Sequence, residues 1–331
     1  MILVTGGTGL VGSYLLHELL LTNDRVRAIK RKNSDTKKTK KVFELLSKNG
    51  ETLFNNIEWV TADITDIPAL DLAFKDITKV YHCAAVISFN SKDDRLLRNC
   101  NIKGTANVVN LALAHNIEKL IHVSSIATLG EHHSPITEET YWNPEASHNM
   151  YAITKYGAEL EVWRGTQEGL NAVIVNPGVI LGDVFFESGS GLLFSRIKSG
   201  FNYYTKGTVG FVNVKDVVAC MIKLMTSHTR DEQFILVAEN YTYKQLFSEI
   251  QQGYNINKTL KPVNPLLLNM AFVLDYLKGL FTGKRSLSKA TLEAANKTLI
   301  YDNAKVINEL DFKFTPVKET IEEICKPIAQ Y

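Results

Sequence analysis

The sequence predicts an α/β protein, a doubly wound parallel sheet followed by a smaller, mostly helical C-terminal region. Three observations carry that expectation. The apolar run Ile2-Leu3-Val4 leads through the glycine-rich stretch Thr5 to Gly12 into the helical pattern Tyr14, Leu15, Leu16, Leu19 and Leu20, which reads as strand, tight loop and helix. Further short apolar runs, at Ile57 to Thr61, Val80 to Ala85, Leu120 to Val123 and Ala172 to Val175, are separated by helical stretches, as βα alternation requires. The 331 residues, 45% hydrophobic and 22% charged, suffice for a full core in two domains or one large one.

The glycine stretch suits a diphosphate. A helix N-terminus leaves backbone N–H groups unpaired and carries a partial positive charge, so an anion there meets ready donors. Gly7, Gly9 and Gly12 satisfy G-x-G-x-x-G, and Gly6, Gly9 and Gly12 satisfy T-G-x-x-G-x-x-G. A side chain at Gly6 or Gly9 is expected to block the close pass of pyrophosphate, and one at Gly12 to push the helix off the strand. Gly6, Thr8, Gly9, Leu10, Val11 and Gly12 are therefore expected to contact a dinucleotide cofactor.

Charge and composition exclude several classes. A net charge of +2 gives no general reason to expect nucleic acid, although positive charge is bunched from Arg27 to Lys41. Cys83, Cys100, Cys220 and Cys325 lack C-x-x-C or zinc-ligand spacing, which suggests reduced thiols and a cytoplasmic location. With the first strand starting at residue 2, no room is expected for a signal peptide. Leu266 to Phe281 is shorter than the roughly 20 apolar residues of a membrane span and is interrupted by Asn269, Asp275 and Lys278. It is expected to be a core, lid or dimer element, with contact to a membrane surface as the alternative. No metal site is expected: His132, His133 and His148 lack ligand spacing, and His17-Glu18 lacks the second histidine of H-E-x-x-H.

Along the chain, Arg25 to Ile29 is the second strand, ending at Lys30-Arg31-Lys32. In a doubly wound fold a carboxylate at this end accepts from the 2′-hydroxyl of NAD, and a basic residue accommodates the 2′-phosphate of NADP. The first acid downstream is Asp35, so Arg31, with Lys30 or Lys32, favours NADP(H); the alternative is a solvated basic run continuing through Lys37, Lys38, Lys40 and Lys41. Asp63 and Ile64, after the third strand, fall where adenine would sit, with Asp63 also readable as a helix N-cap. The next strand ends in Cys83, Ala84 and Ala85, small enough to pass under a cofactor, and His82 reads as a packed core histidine. Asn101 to His115 is helical.

The fifth strand runs into Ser124-Ser125, at the C-terminal edge where parallel sheets carry their chemistry. A polar loop from Glu131 to Asn149 follows. Tyr151 and Lys155 then open a helix four residues apart, so they share a face. Tyrosine titrates near about 10, and a fixed ammonium beside it is expected to bring its pKa toward working range. Ala172 to Val175 closes on Asn176-Pro177-Gly178-Val179, where the chain is expected to leave the sheet. The aromatic segment Phe185 to Tyr204 suits a pocket wall. Phe211 to Asp216 is expected to begin a helix reaching Met225, Phe234 to Val237 another strand, and Thr242 to Ile250 another helix. The expected division is 1–176 for cofactor and 177–331 for substrate, with 205–240 returning to the first unit.

Together, Thr5 to Gly12, Asp63 to Asp66, His82 to Ala85, Ser124-Ser125, Tyr151 to Lys155 and Asn176 to Gly182 resemble the extended short-chain dehydrogenases/reductases over nearly the whole chain. Val26 to Arg31 and Asn176 to Val179 are most similar to the dihydroflavonol reductase-like and 3β-hydroxysteroid dehydrogenase-like branch. The resemblance implies a Rossmann-type sheet, a C-terminal substrate domain and often a homodimer built from two helices of each subunit. It also implies Tyr151 as acid/base, Lys155 as the residue that lowers its pKa and holds the nicotinamide ribose, Ser125 on the substrate oxygen and Asn101 as a brace. Cys83, Ala84, Ala85, Pro177 and Val179 would line the cofactor, and Val86, Phe89, Phe185 and Tyr203, with Ser125, the substrate. Ser125-Ile126-Ala127 stands where the dehydratase branch has Thr-Asp-Glu, which argues against a sugar dehydratase. An NADP-dependent reductase of a moderately hydrophobic ketone or aldehyde is the leading expectation. The alternatives are an NAD-dependent nucleotide-sugar epimerase and a dinucleotide-sensing regulator without turnover.

Overall fold

The computed structural model describes residues 1–131, 134–264 and 296–326. Seven parallel strands form the central sheet: β1 (Ile2–Thr5), β2 (Val26–Lys30), β3 (Ile57–Thr61), β4 (Lys79–His82), β5 (Lys119–Val123), β6 (Ala172–Pro177) and, after the smaller elements named below, β10 (Glu232–Leu236). Their order is β10-β6-β5-β4-β1-β2-β3. The chain winds outward from β1 in both directions, so a crevice opens between the C-terminal ends of β1 and β4, the place where such sheets bind ligands.

Successive side chains of a strand face opposite sides, and each side meets its own helices. Val4, Tyr81, Ile121 and Val173 pack with α1 (Leu10–Leu20), α2 (Lys37–Leu46), α3 (Gly50–Asn55) and, later in the chain, α9 (Val214–Thr226). Leu3, Val80, Leu120 and Ile174 pack with α4 (Ile67–Phe74), α6 (Gly104–Ala114) and α7 (Met150–Gln167). Fully burying one such side chain contributes about 1.5–3 kcal/mol, so both faces are strongly specified. The helix expected from Asn101 starts earlier, as α5 (Asp94–Leu97), and reaches α6 through a π-helical turn, Arg98–Lys103.

The C-terminal lobe packs around Phe194, Phe211, Leu246, Ile250, Val317 and Ile321. It contains β7 (Val179–Leu181), α8 (Gly191–Lys198), β8 (Tyr203–Tyr204), β9 (Thr208–Asn213), β11 (Glu239–Thr242), α10 (Tyr243–Gly253) and β12 (Lys261–Pro262); α11 (Ala304–Leu310) then returns to pack on β10 and α9, and α12 (Val317–Cys325) rejoins the lobe. The expected helix from Phe211 is corrected: residues through Asn213 are β9, paired with β7 and β11. Asn213 then accepts from the Lys215 N–H at 2.9 Å and starts α9 one residue later. Leu266 to Phe281, His132 and His133 lie outside the described residues. Among the described residues no helix is long and apolar enough to cross a membrane.

Beneath the crevice, His82 and His122 face each other from β4 and β5 with ring centroids 5.0 Å apart. Both are fully buried. His82 is bonded to Thr5 Oγ1 at 2.7 Å and to Thr105 Oγ1 at 2.9 Å. Burial pulls its pKa from the ordinary 6.5 down to about 3, helped by the Lys155 charge. Burial lowers His122 too, again with Lys155 and His82 adding to the shift. Both rings are therefore neutral in the fold. An unfolded histidine takes a proton below about 6.5 whereas folded His82 does so only near 3, so stability is full above the first value and falls as pH drops toward the second. The slope is about 1.4 kcal/mol per pH unit for each ring. Denaturant titration is expected to show a loss of about 2–4 kcal/mol between pH 7 and pH 5 from the pair. A stability unchanged across that interval would mean that the pair is not held neutral by the fold.

Candidate active site

The loop after β1 separates two reasons for glycine. Gly6 has φ +72°, and a Cβ there would lie 2.7 Å from the Ala84 nitrogen and 2.8 Å from the Cys83 carbonyl carbon. A Cβ on Gly12 would overlap the Gly6 carbonyl oxygen. Packing against the end of β4 and within the loop therefore requires both residues, so the block expected at Gly6 falls first on the protein itself. Gly9 is different. A Cβ there would meet only the Gly6 oxygen, at 3.4 Å, so the protein leaves room. Gly9 is also the N-cap of α1 and supplies no side-chain acceptor. The N–H groups of Leu10, Val11 and Gly12 have no carbonyl within the helix to bond, and together these features fit a nucleotide diphosphate.

Just after β2, Arg31 and Lys32 are exposed. Burial raises the pKa of the Cys100 thiol; the Asp63 charge adds to that rise and the Arg31 charge opposes it. Arg27, by contrast, is buried and donates to Glu58 Oε1 at 2.8 Å and to the Ala73 and Lys75 carbonyls at 3.1 and 2.6 Å. It fastens strands and helix rather than facing a ligand. Asp63 does not cap α4: its Oδ1 accepts from Thr65 N at 2.9 Å and Thr65 Oγ1 at 2.7 Å, while Asp66 caps the helix through Ala69 N at 3.3 Å. Ile64 turns its side chain into the core against Gly104. Ala84 and Ala85 line the crevice edge, and burial pushes the half-buried Cys83 thiol up to about 12.

At the reaction end, Asn149 accepts from Ala152 N at 2.9 Å and starts α7, presenting Tyr151 in its first turn. The Tyr151 ring meets Phe89 edge to face at 6.0 Å. Burial raises its pKa, and the Ser125 hydroxyl beside it opposes that rise. The expected lowering by Lys155 is not what the structure shows. Lys155 Nζ turns to the end of β5, donating to the Val123 carbonyl at 2.8 Å and lying 3.5 Å from His122 Nε2. Burial brings Lys155 down to about 8.

Asn101 lies in the π-helical turn, a feature frequent at functional sites. Its amide accepts from Val86 N at 2.8 Å and donates to the Val86 carbonyl and Thr154 Oγ1, each at 3.0 Å. Those bonds brace the loop after β4. Pro177 is buried at the end of β6, and Val179 is half-buried where β7 begins.

Two expected substrate residues lie elsewhere. Phe185 is only 8% exposed and belongs to the core around α1, with Lys38 Nζ 5.7 Å from its ring centroid. Val184 at φ +72° and the Phe185 N–H bond to the Asp183 carbonyl at 2.9 Å make a tight turn that tips this ring inward. Tyr203 packs on Phe201 and pairs through β8 with β12, in the C-terminal lobe. The exposed side chain beside Tyr151 is instead Phe89. Sequence reasoning also missed Glu159, buried and bonded to Thr128 and Asn176. Its signal was the continuation of Tyr-x-x-x-Lys to Tyr-x-x-x-Lys-x-x-x-Glu along one helix face.

Residues 2–238 match the NAD dependent epimerase/dehydratase family. The chain belongs to that family. It is an NAD(P)-dependent enzyme of the extended short-chain dehydrogenase/reductase type. It is 26% identical over 292 residues to sterol demethylase protein B of Methylococcus capsulatus (strain ATCC 33009 / NCIMB 11132 / Bath), covering 86% of this chain and 84% of that protein. Against the dihydroflavonol 4-reductase of Callistephus chinensis, identity is 26% over 310 residues, covering 85% and 84%. The crystal structure of gox2253 superposes with a TM-score of 0.80 at 25% identity, covering 98% of this chain and 96% of that one. UDP-glucose 4-epimerase of Thermotoga maritima, solved with UDP-glucose, shares the fold at a TM-score of 0.77 and 19% identity, covering 98% and 97%.

The glycines give a paired prediction. Gly12→Ala is expected to destabilise the protein by about 1–3 kcal/mol, the range of overpacking. Gly9→Ala is expected to fold with nearly wild-type stability but to lose cofactor binding. Thermal denaturation and cofactor titration of both variants check this, and equal losses of stability would contradict it.

Proposed function

We propose that the chain is an NADP(H)-dependent reductase of a ketone or aldehyde on a moderately hydrophobic small molecule, or the corresponding alcohol dehydrogenase. The Ser125 hydroxyl set against the Tyr151 phenol, beside the exposed Phe89, carries this reading. Ser125 and Tyr151 together orient the substrate oxygen, and Tyr151 gives it a proton in reduction. Such donors act on charge that develops in the transition state, where they count most. Lys155, largely an ammonium at neutral pH with its pKa near 8, holds the ribose hydroxyls of the cofactor. When bound, the nicotinamide supplies or accepts the hydride. Leu10, Val11 and Gly12 hold the diphosphate through backbone N–H groups, and Arg31 with Lys32 holds the 2′-phosphate.

Residues 1–176 form the cofactor unit in this reading, and the pairing of β10 with β6 supports the return of 205–240 to it. Exposed Leu96 and Leu160, on the touching helices α5 and α7, suit the two-helix contact of a homodimer.

Tyr151→Phe is expected to bind cofactor as the wild type does and to lose at least about 100-fold in turnover on any carbonyl substrate found by screening, the usual contribution of a positioned acid. Near-normal turnover would contradict the assigned role. Arg31→Ala is expected to weaken NADPH by about 10- to 100-fold, as loss of a charged hydrogen-bond set does, and to leave NADH nearly unchanged. Equal small losses for the two cofactors would make Arg31 a solvated surface residue.

A further inference from the structure

We propose that Glu159 is a positioning residue of this site: its buried carboxylate takes the Thr128 hydroxyl and orients Asn176 onto the Ser125 carbonyl, and it is the counter-charge that keeps Lys155 an ammonium. The inference rests on the roles proposed above for Ser125 and Lys155. Tyr151, Lys155 and Glu159 follow one another at four-residue intervals on α7, so Glu159 lies one turn deeper than Lys155. Only 3% of it is exposed. Glu159 Oε1 accepts from Asn176 Nδ2 at 2.6 Å and from Thr128 Oγ1 at 2.7 Å. The same two groups also reach the Ser125 carbonyl, Asn176 at 3.2 Å and Thr128 at 2.8 Å.

Counting protons decides how these bonds are shared. Thr128 has one hydroxyl proton and Asn176 two amide protons. With Glu159 ionised, Thr128 and one Asn176 N–H serve the carboxylate, which leaves the second Asn176 N–H for the Ser125 carbonyl. Every donor is then used. The Ser124 hydroxyl, buried beside the carboxylate, completes no hydrogen bond of its own.

The surroundings of Lys155 supply the second half of the case. From β5 it meets His122 and the Val123 carbonyl. From the end of β4 come His82 and Cys83, from the π-helical turn Cys100, and from its own helix Glu159. The two histidines are neutral, and burial raises both thiols. Glu159 is thus the one carboxyl group among these, and its charge is the largest influence opposing the downward pull of burial on Lys155. Burial raises Glu159 in turn, and the Thr128 and Asn176 side chains, with Lys155, are among the groups that oppose that rise.

Glu159→Gln isolates the charge, because the glutamine oxygen still accepts from Thr128 and Asn176 and its amide can donate to Ser124. Lysine Nζ NMR, with Lys155→Met assigning the signal, is expected to place the Lys155 midpoint near 8 in the wild type. In Glu159→Gln it is expected to be lower by about one to three pH units, the usual effect of one opposite charge at close range. The alkaline limb of kcat/KM is expected to move down with it. An unchanged midpoint would overturn the proposal. Lys155→Met reads the coupling from the other side: carboxyl-carbon NMR is expected to show Glu159 titrating higher than in the wild type, and an equal value would overturn the proposal independently of Glu159→Gln. A shifted lysine midpoint in a protein that reduces no ketone or aldehyde would support the coupling and remove the reductase reading.

Discussion

The site depends on a tight three-way approach of Gly6, Gly12 and the end of β4. A Cβ on Gly6 would strike the Cys83-Ala84 backbone, and one on Gly12 would strike Gly6. Only a junction without side chains lets α1 begin at the crevice between β1 and β4. From that placement follow the direction of the α1 N-terminus and the open side of Gly9. The site of the diphosphate cradle is therefore fixed by backbone packing before any ligand is considered.

A second constraint is the way α7 lies against the end of β5. Its N-cap, Asn149, brings Tyr151 to the mouth, and successive turns carry Lys155 and Glu159 inward. The polarity of this helix face increases in cost with depth, since an uncompensated buried charge is expensive. Lys155 is met by the Val123 carbonyl, and Glu159 by Asn176 and Thr128. On the neighbouring strands His82 and His122 remain neutral, which keeps further positive charge away from the lysine. A reactive surface and a buried support are built on one helix.

Much of this was legible in the sequence because it follows from local rules. The strand, glycine loop and helix at the N-terminus, the buried strands and the Tyr151–Lys155 spacing all lie in contiguous residues or at a fixed helical interval. What was not legible depends on contacts between distant segments. The Phe185 ring turns inward because Val184 adopts a positive φ, which a β-branched residue rarely does. Thr208 to Asn213 is a strand because β7 and β11 flank it and Gly178 and Gly210 approach closely, and the apolar run alone does not distinguish strand from helix. The partner of Lys155, the Val123 carbonyl, could be known only once α7 and β5 had met. Glu159 gains its role only from Asn176, which β6 brings beside it.

The proposed preference for the 2′-phosphorylated cofactor rests on Arg31 and Lys32, exposed just after β2. Calorimetric titration of the purified wild-type chain with NADPH and with NADH tests it most directly, since it needs no substrate. The account predicts binding of NADPH at least about tenfold tighter than NADH, the difference expected from one charged contact. Equal affinities, or tighter binding of NADH, would contradict it.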